Sequence, residues 1–174
     1  MNVGQFWNII ESSRRGFDPS RRDGNMDQQA EELRRLLSEL PPEELLEFDR
    51  HFTGRMNAAH HWDLWGAAHL IAGACSEDGF VDFRGWLISM GRQVFEEALA
   101  NAESLLDVAD TPGVEAIFFE EFPQVAAQVH EALTGRELPE PQIPSPLLPA
   151  GEPWNAERGD LGQRLPRLWA KYRR

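Results

Sequence analysis

The chain has 174 residues, of which 41% are hydrophobic and 26% charged, and its formal net charge is −12. This length and composition are typical of one globular domain and exclude a disordered chain. The acidic balance disfavours non-specific binding to nucleic acid, because acidic side chains repel the phosphate backbone.

The sequence also predicts the compartment. Its single cysteine, Cys75, cannot form an internal disulfide, and no stretch of eighteen apolar residues is present. The first residues lack the basic and then apolar pattern of an export signal. We therefore expect a cytoplasmic protein that does not span a membrane.

Apolar side chains recur at helical spacing through the first sixty residues, which predicts three amphipathic helices. The first covers residues 3–14, and an arginine-containing loop leads to the second at residues 26–40. The third starts at Pro42, where proline suits the first turn, and continues to about residue 59.

Residues 62–99 carry three of the six tryptophans and predict two further helical runs joined by a turn at residues 75–79. The first run is apolar nearly all round, which is typical of a central helix. Gly91 is a candidate break in the second run. This density of large apolar side chains indicates the middle of a helical core.

The last third of the chain contains three segments of different composition. Thr111 and Pro112 predict the start of a helix over residues 114–133, with a kink at Pro123 and an end at Gly135. Six of the eighteen residues at 136–153 are prolines, which predicts an extended strap of up to about 55 Å. Residues 154–174 then predict a basic amphipathic arm.

The sequence therefore predicts an all-α fold, a compact bundle of six to eight helices with a proline-rich strap and a C-terminal docking helix. Its parts are a helical body (1–135), the strap (136–153) and the arm (154–174). Residues 26–135 carry six basic against 21 acidic side chains, whereas residues 155–174 carry six against two. This contrast favours docking of the arm on the body; the alternative is that the arm reaches a partner or an anionic surface.

Several motifs could carry chemistry, and each has a simpler structural interpretation. His60, His61 and Asp63, with His69 and His51, are the strongest metal candidates. One ion needs three or four converging ligands, but residues 61 and 69 are two helical turns apart. We therefore expect polar groups at a helix start, with no metal and no cofactor.

Two further motifs involve the turn between the tryptophan-rich helices. Cys75 could act as a nucleophile with His69 or His51 as its base, but a small side chain buried at a helix end is the favoured explanation. Glu77 and Asp78 could form an acid–base pair, whereas helix capping by Asp78 is the simpler explanation.

Arg84 and Arg92 lie among large apolar neighbours, where an unpaired charge would be costly. Either they pair with carboxylates, or they face a pocket for an anionic group that tryptophans would wall. The possible partners are Asp63, Asp78, Asp82 and Glu96. The candidate ligand-binding residues are Trp65, Asp78, Arg84, Trp86 and Arg92.

Residues 62–99, with residues 5–10, 153–154 and 165–169, closely resemble the signature of a bacterial domain-of-unknown-function family, DUF4240. The resemblance covers most of the chain. It implies no settled activity, although some family members are joined to, or encoded with, WGR-type domains linked to nucleic-acid-associated regulation. Residues 117–119 depart from the pattern, which has more tyrosine there, and this weighs against a tyrosine-dependent role.

These observations favour a non-enzymatic protein-interaction or regulatory module with a protein partner. The first alternative is a small-ligand binder or an enzyme that uses a tryptophan-lined pocket with Arg84, Arg92 and Asp78. The second is a nucleic-acid-associated regulator acting through the arm and the first loop. The arginines of that loop are Arg14, Arg15, Arg21 and Arg22.

Overall fold

The computed structural model describes residues 1–173, except for the side chain of Arg158, and this part of the chain is all-α, as predicted. It forms no β-strand, and one isolated bridge pairs His61 with Ala150. Within residues 1–173 the helices are α1 (Val3–Ser13), α2 (Asn25–Ser38), α3 (Pro42–Ala58), α4 (Trp62–Ala72), α5 (Glu77–Ser89), α6 (Arg92–Ala100), α7 (Val125–Thr134), α8 (Asp160–Arg164) and α9 (Pro166–Tyr172). Three short 3₁₀ turns lie at Ala102–Leu106, Phe122–Gln124 and Ala156–Arg158.

Aromatic side chains fill the interior of the bundle. Phe6 on α1 contacts Phe48 on α3 with ring centroids 5.1 Å apart, and Phe83 and Trp86 on α5 lie 5.6 Å apart. All four side chains are at most 2% exposed. Each such burial contributes about 1.5–3 kcal/mol, so these rings supply much of the free energy that holds the helices together.

Among the helices that begin without a side-chain cap of their own, three are capped by glutamates from elsewhere in the chain. The carboxylates of Glu115, Glu11 and Glu103 accept backbone N–H groups at the first turns of α2, α6 and α9, respectively. The bond from the Arg167 amide to Glu103 is 2.6 Å long. A carboxylate at the positive end of a helix is stabilising. Some of the many acidic residues of this chain therefore hold helices in place.

The prediction of a helix over residues 114–133 is wrong for its first half. Only α7 and a 3₁₀ turn at Phe122–Gln124 are helical there, and residues 114–121 run along the body without helix. The amide of Phe119 donates to the carbonyl of Asp82 at 3.1 Å, while Ile117 and Phe119 are buried. Burial of these bulky side chains and the constraint at Pro123 outweigh the helix-start signal. Gly135 ends α7 in a left-handed conformation, as expected.

The strap and the arm both lie on the body. Gly66 on α4 leaves room for Leu161 and Leu165 of the arm, which are 1% and 3% exposed. Ion pairs at the edges join Arg164 to Asp63, and Lys171 to Asp110. The arm therefore docks through an apolar face with charges around it. Within residues 1–173, no helix has the length and apolar character needed to cross a bilayer.

Candidate functional site

The five candidate ligand-binding residues lie in different surroundings on α4, α5 and α6. Trp86 and Arg84 are two positions apart on α5, a rotation of about 200°, so they point to opposite sides of the helix. Trp86 is 2% exposed in the core. Arg84 donates to the carbonyl of Met56 at 2.9 Å and lies over the ring of Phe80, and burial lowers its pKa. Backbone carbonyls thus take the place of the carboxylate partner expected for Arg84.

Trp65 packs at the interface between α4 and α5. Its ring lies between those of Trp62 and Phe80, nearly parallel to both, at centroid distances of 5.2 and 5.1 Å. The indole N–H donates to the carbonyl of Cys75 at 2.9 Å, which fixes the turn that follows α4. These contacts give Trp65 a structural role.

The remaining two candidates are exposed. Asp78 lies in the first turn of α5, but Ser76 provides the cap by accepting the Gly79 amide at 3.1 Å. Arg92 begins α6 and pairs with Glu96 at 2.8 Å, a partner that the sequence suggests. Arg92 and Trp86 line different cavities.

The histidines each have a structural contact. His61 accepts the Asp63 amide at 3.2 Å and so caps α4. The ring of His69 packs against Trp154 at 5.1 Å, and His51 is hydrogen-bonded to the carbonyl of Met1. Among residues 1–173, no group of three or more His, Cys, Asp or Glu side chains is arranged to hold a metal ion.

Cys75 follows α4 and is half-buried, which raises the pKa of its thiol to about 11. The thiolate is the nucleophilic form of cysteine, so this environment works against catalysis at neutral pH. Burial is the main cause of this rise in pKa.

Alkylation of the Cys75 thiol by iodoacetamide tests this environment. At pH 8.5 the folded protein is expected to react about 100-fold more slowly than an ordinary cysteine, because so little thiolate is present. The rate should rise up to about pH 11. The chain unfolded in denaturant is the control, and the pKa of its Cys75 thiol should lie near the ordinary cysteine value. A pKa of the Cys75 thiol at or below 8.5 in the folded protein would contradict the structure.

The strap presents the most unusual surface of the described chain. Leu147 and Leu148 are 97% and 76% exposed, whereas the exposed leucines on the helices, such as Leu133 at 49%, keep about half or more of their surface covered. Both belong to a proline-flanked segment, residues 146–149, which we call the strap tip. Contiguous exposed apolar surface marks interaction sites when it is large, which makes this pair a candidate contact surface.

Contacts on either side hold the strap tip against the corner between α3 and α4. Before it, the side-chain amide of Asn57 donates to the carbonyl of Pro144 at 3.2 Å. After it, Ala150 donates to the His60 carbonyl at 2.8 Å and accepts from the Trp62 amide at 2.9 Å. The tip is therefore a short loop with both ends fixed.

Close packing reinforces the contacts that follow the strap tip. Gly151 adopts a left-handed conformation over the ring of His61, where a Cβ atom would lie 2.6 Å from the imidazole carbon Cε1. The indole N–H of Trp154 donates to the carbonyl of Trp62 at 2.8 Å. Under the strap, burial and, next, the charge of Arg84 lower the pKa of His60.

Sequence reasoning missed Leu147 and Leu148 as functional candidates. A signal was available, because an apolar pair between Pro146 and Pro149 can join neither a helix nor an inner strand. Such a pair in a strap must either fill a groove or face water, and only the structure distinguishes these outcomes.

Comparison with known proteins identifies one relationship. A family model described as a protein of unknown function (DUF4240) matches residues 1–132, about three quarters of the chain. The strap tip and the arm lie beyond the matched residues. No curated protein and no solved structure is similar enough to match the chain.

Proposed function

The chain belongs to the DUF4240 family of proteins of unknown function, and we propose that it acts as a protein-interaction module whose contact surface is the strap tip. The exposure of Leu147 and Leu148 is the observation that carries the proposal. Burial of each leucine in a partner would contribute about 1.5–3 kcal/mol.

The anchored ends of the strap tip support this role. Binding by a free peptide loses affinity to the entropy of ordering, and a segment already held in place avoids much of that cost. Asn57 and Ala150 restrain the strap on the two sides of the tip. The two leucines are therefore presented by an ordered loop.

Charge defines the kind of partner. Residues 141–151 contain no charged side chain, whereas Glu137, Glu140 and Glu152 flank this segment in a chain of net charge −12. An apolar cleft with a basic rim would complement the tip, because its centre would accept the leucines and its rim the glutamates. Association with such a partner would slow as salt is added.

Contacts of the candidate pocket residues favour this function over a small-ligand or enzymatic role. Trp65 and Arg84 are occupied by hydrogen bonds to backbone carbonyls, and Arg92 by Glu96. Catalysis needs groups that converge on one reacting atom, and these side chains lie apart.

Affinity capture from a lysate of the source cells, with three versions of the full chain as bait, tests the proposal. The wild-type chain and the control variant L133D are expected to recover the same stoichiometric partner. The double variant L147D/L148D should lose it, because two carboxylates would enter an apolar cleft unpaired. Leu133 is a suitable control because it is half-exposed on α7.

Melting curves of the three baits establish that each is folded. L147D/L148D should melt within about 2 °C of wild type, since neither side chain is buried in the free protein. Equal recovery of the partner by L147D/L148D and wild type would overturn the proposal, as would recovery of no stoichiometric partner by wild type.

A further inference from the structure

The arm and the C-terminal end of α4 form a cleft of about 380 Å³. Its lining is largely apolar and includes Leu70 and Ile71 from α4 and Leu161 from the arm. This volume lies within the range of sites that hold drug-sized molecules. The cleft therefore has room for two leucine side chains.

The charge beside this apolar lining is positive. Arg173 lines the cleft, with its guanidinium carbon 5.1 Å from the centroid of the Trp169 ring, and His69 lines it from α4. None of the described residues that line the cleft is acidic, although the chain has a net charge of −12. Because Arg173 is exposed, its charge lies at the edge of the cleft.

An apolar centre with a basic edge is what the strap tip requires of its partner. The tip presents Leu147 and Leu148 in a segment without charged side chains, and Glu140 and Glu152 flank that segment. The leucines match the apolar lining of the cleft, and the glutamates match Arg173 at its edge. The two surfaces are thus complementary in both respects.

The strap tip of the same molecule does not fill this cleft. Leu147 and Leu148 are exposed, and the hydrogen bond from the Trp62 amide to Ala150 holds the strap at the first turn of α4. The cleft lies at the last turn of the same helix, about 15 Å further along its axis. A tip that fills the cleft must come from another molecule.

Building on the proposed function, we propose that the partner of the strap tip is a second copy of this chain, whose cleft between α4 and the arm receives Leu147 and Leu148. Each copy has one tip and one cleft, so two copies that exchange tips form a symmetric dimer. At about 0.15 M salt, charges more than about 8 Å apart are largely screened. The local match of charges then outweighs the repulsion between two acidic molecules.

Sedimentation velocity of the full protein in about 0.15 M salt, at about 5 to 500 µM, tests this inference. The average mass of wild type is expected to rise with concentration above the 19.8 kDa of one chain. A72E places a carboxylate in the cleft from the exposed last residue of α4 and should weaken self-association at least about 30-fold. A100E adds the same charge at the exposed last residue of α6 and should associate as wild type does.

A mixture of two defective variants gives the most discriminating result. L147D/L148D retains the cleft and A72E retains the strap tip, so each variant alone should remain a monomer. Mixed together, they should form a 1:1 complex, because the intact tip of one enters the intact cleft of the other. This complex should not grow further, since the tip and the cleft that remain are both altered.

Reversal of the charge at Arg173 tests the electrostatic match. R173E should weaken self-association about fivefold or more, because a carboxylate would then face the glutamates that flank the tip. R92E is the control, since it makes the same charge change at a residue that does not line the cleft. An unchanged dissociation constant for R173E would argue decisively against the proposed occupant.

Melting curves establish that each variant is folded. The inference is overturned if wild type keeps the mass of one chain up to about 500 µM, if A72E associates as wild type does, or if the mixture forms no complex. If wild type stays a monomer but captures a different protein through its strap tip, the inference fails and the proposed function stands. If L147D/L148D matches wild type in both self-association and capture, both fail.

Discussion

Replacement of Trp86 by alanine is expected to lower the free energy of unfolding by about 3–5 kcal/mol. The side chain is 2% exposed on α5 and packs against Phe83 at 5.6 Å. Truncation would remove its buried apolar surface and leave a cavity that the rigid neighbouring helices fill only in part. Urea unfolding followed by far-ultraviolet circular dichroism measures the change.

The control for this prediction is Trp86→Phe, which keeps most of the volume and should cost less than half as much. If Trp86 walled an open pocket, W86A would leave the unfolding free energy within about 0.5 kcal/mol of wild type. That result would contradict the interior role of the tryptophan-rich helices.

Replacement of Gly66 by leucine is expected to cost about 1–3 kcal/mol and to loosen the arm. Even a Cβ atom at this position on α4 would lie 2.7 Å from Leu161 and 3.2 Å from the indole nitrogen of Trp154. The added side chain therefore forces the arm away and weakens the bond from Trp154 to Trp62. Hydrogen exchange should show faster exchange in residues 154–173 than in wild type.

Gly54 provides a matched control for this substitution. It lies within α3, and a Cβ atom there would meet nothing within 4 Å. Gly54→Leu is expected to stabilise the protein by about 0.5–1 kcal/mol, because glycine is a poor helix former. The two glycine variants should therefore differ in sign. A neutral or stabilising G66L would show that the arm does not depend on close approach at Gly66.

Elements that the sequence predicts well are those in which local and long-range forces agree. The helices before residue 100 combine helical apolar spacing with clear end signals, such as Pro42 at the start of α3 and Gly91 between α5 and α6. The cap at His61 belongs to the same group, because a cap depends on near neighbours in the chain.

Predictions failed where distant residues decide the outcome. Glu115 supports α2 across the fold, and the segment around it is not helical although Thr111 and Pro112 signal a helix. The candidate site shows the same limit. The partners of Trp65 and Arg84 include backbone carbonyls, which a residue pattern does not reveal, and the exposure of Leu147 depends on how the strap crosses the body.

The most direct test of the proposed interaction surface is the dissociation constant of the captured partner for L147A/L148A. We predict binding about 10- to 100-fold weaker than that of wild type, because two apolar side chains no longer enter the cleft. L133A should bind as wild type does. A dissociation constant that is the same for L147A/L148A and wild type, with both proteins folded, would contradict the account.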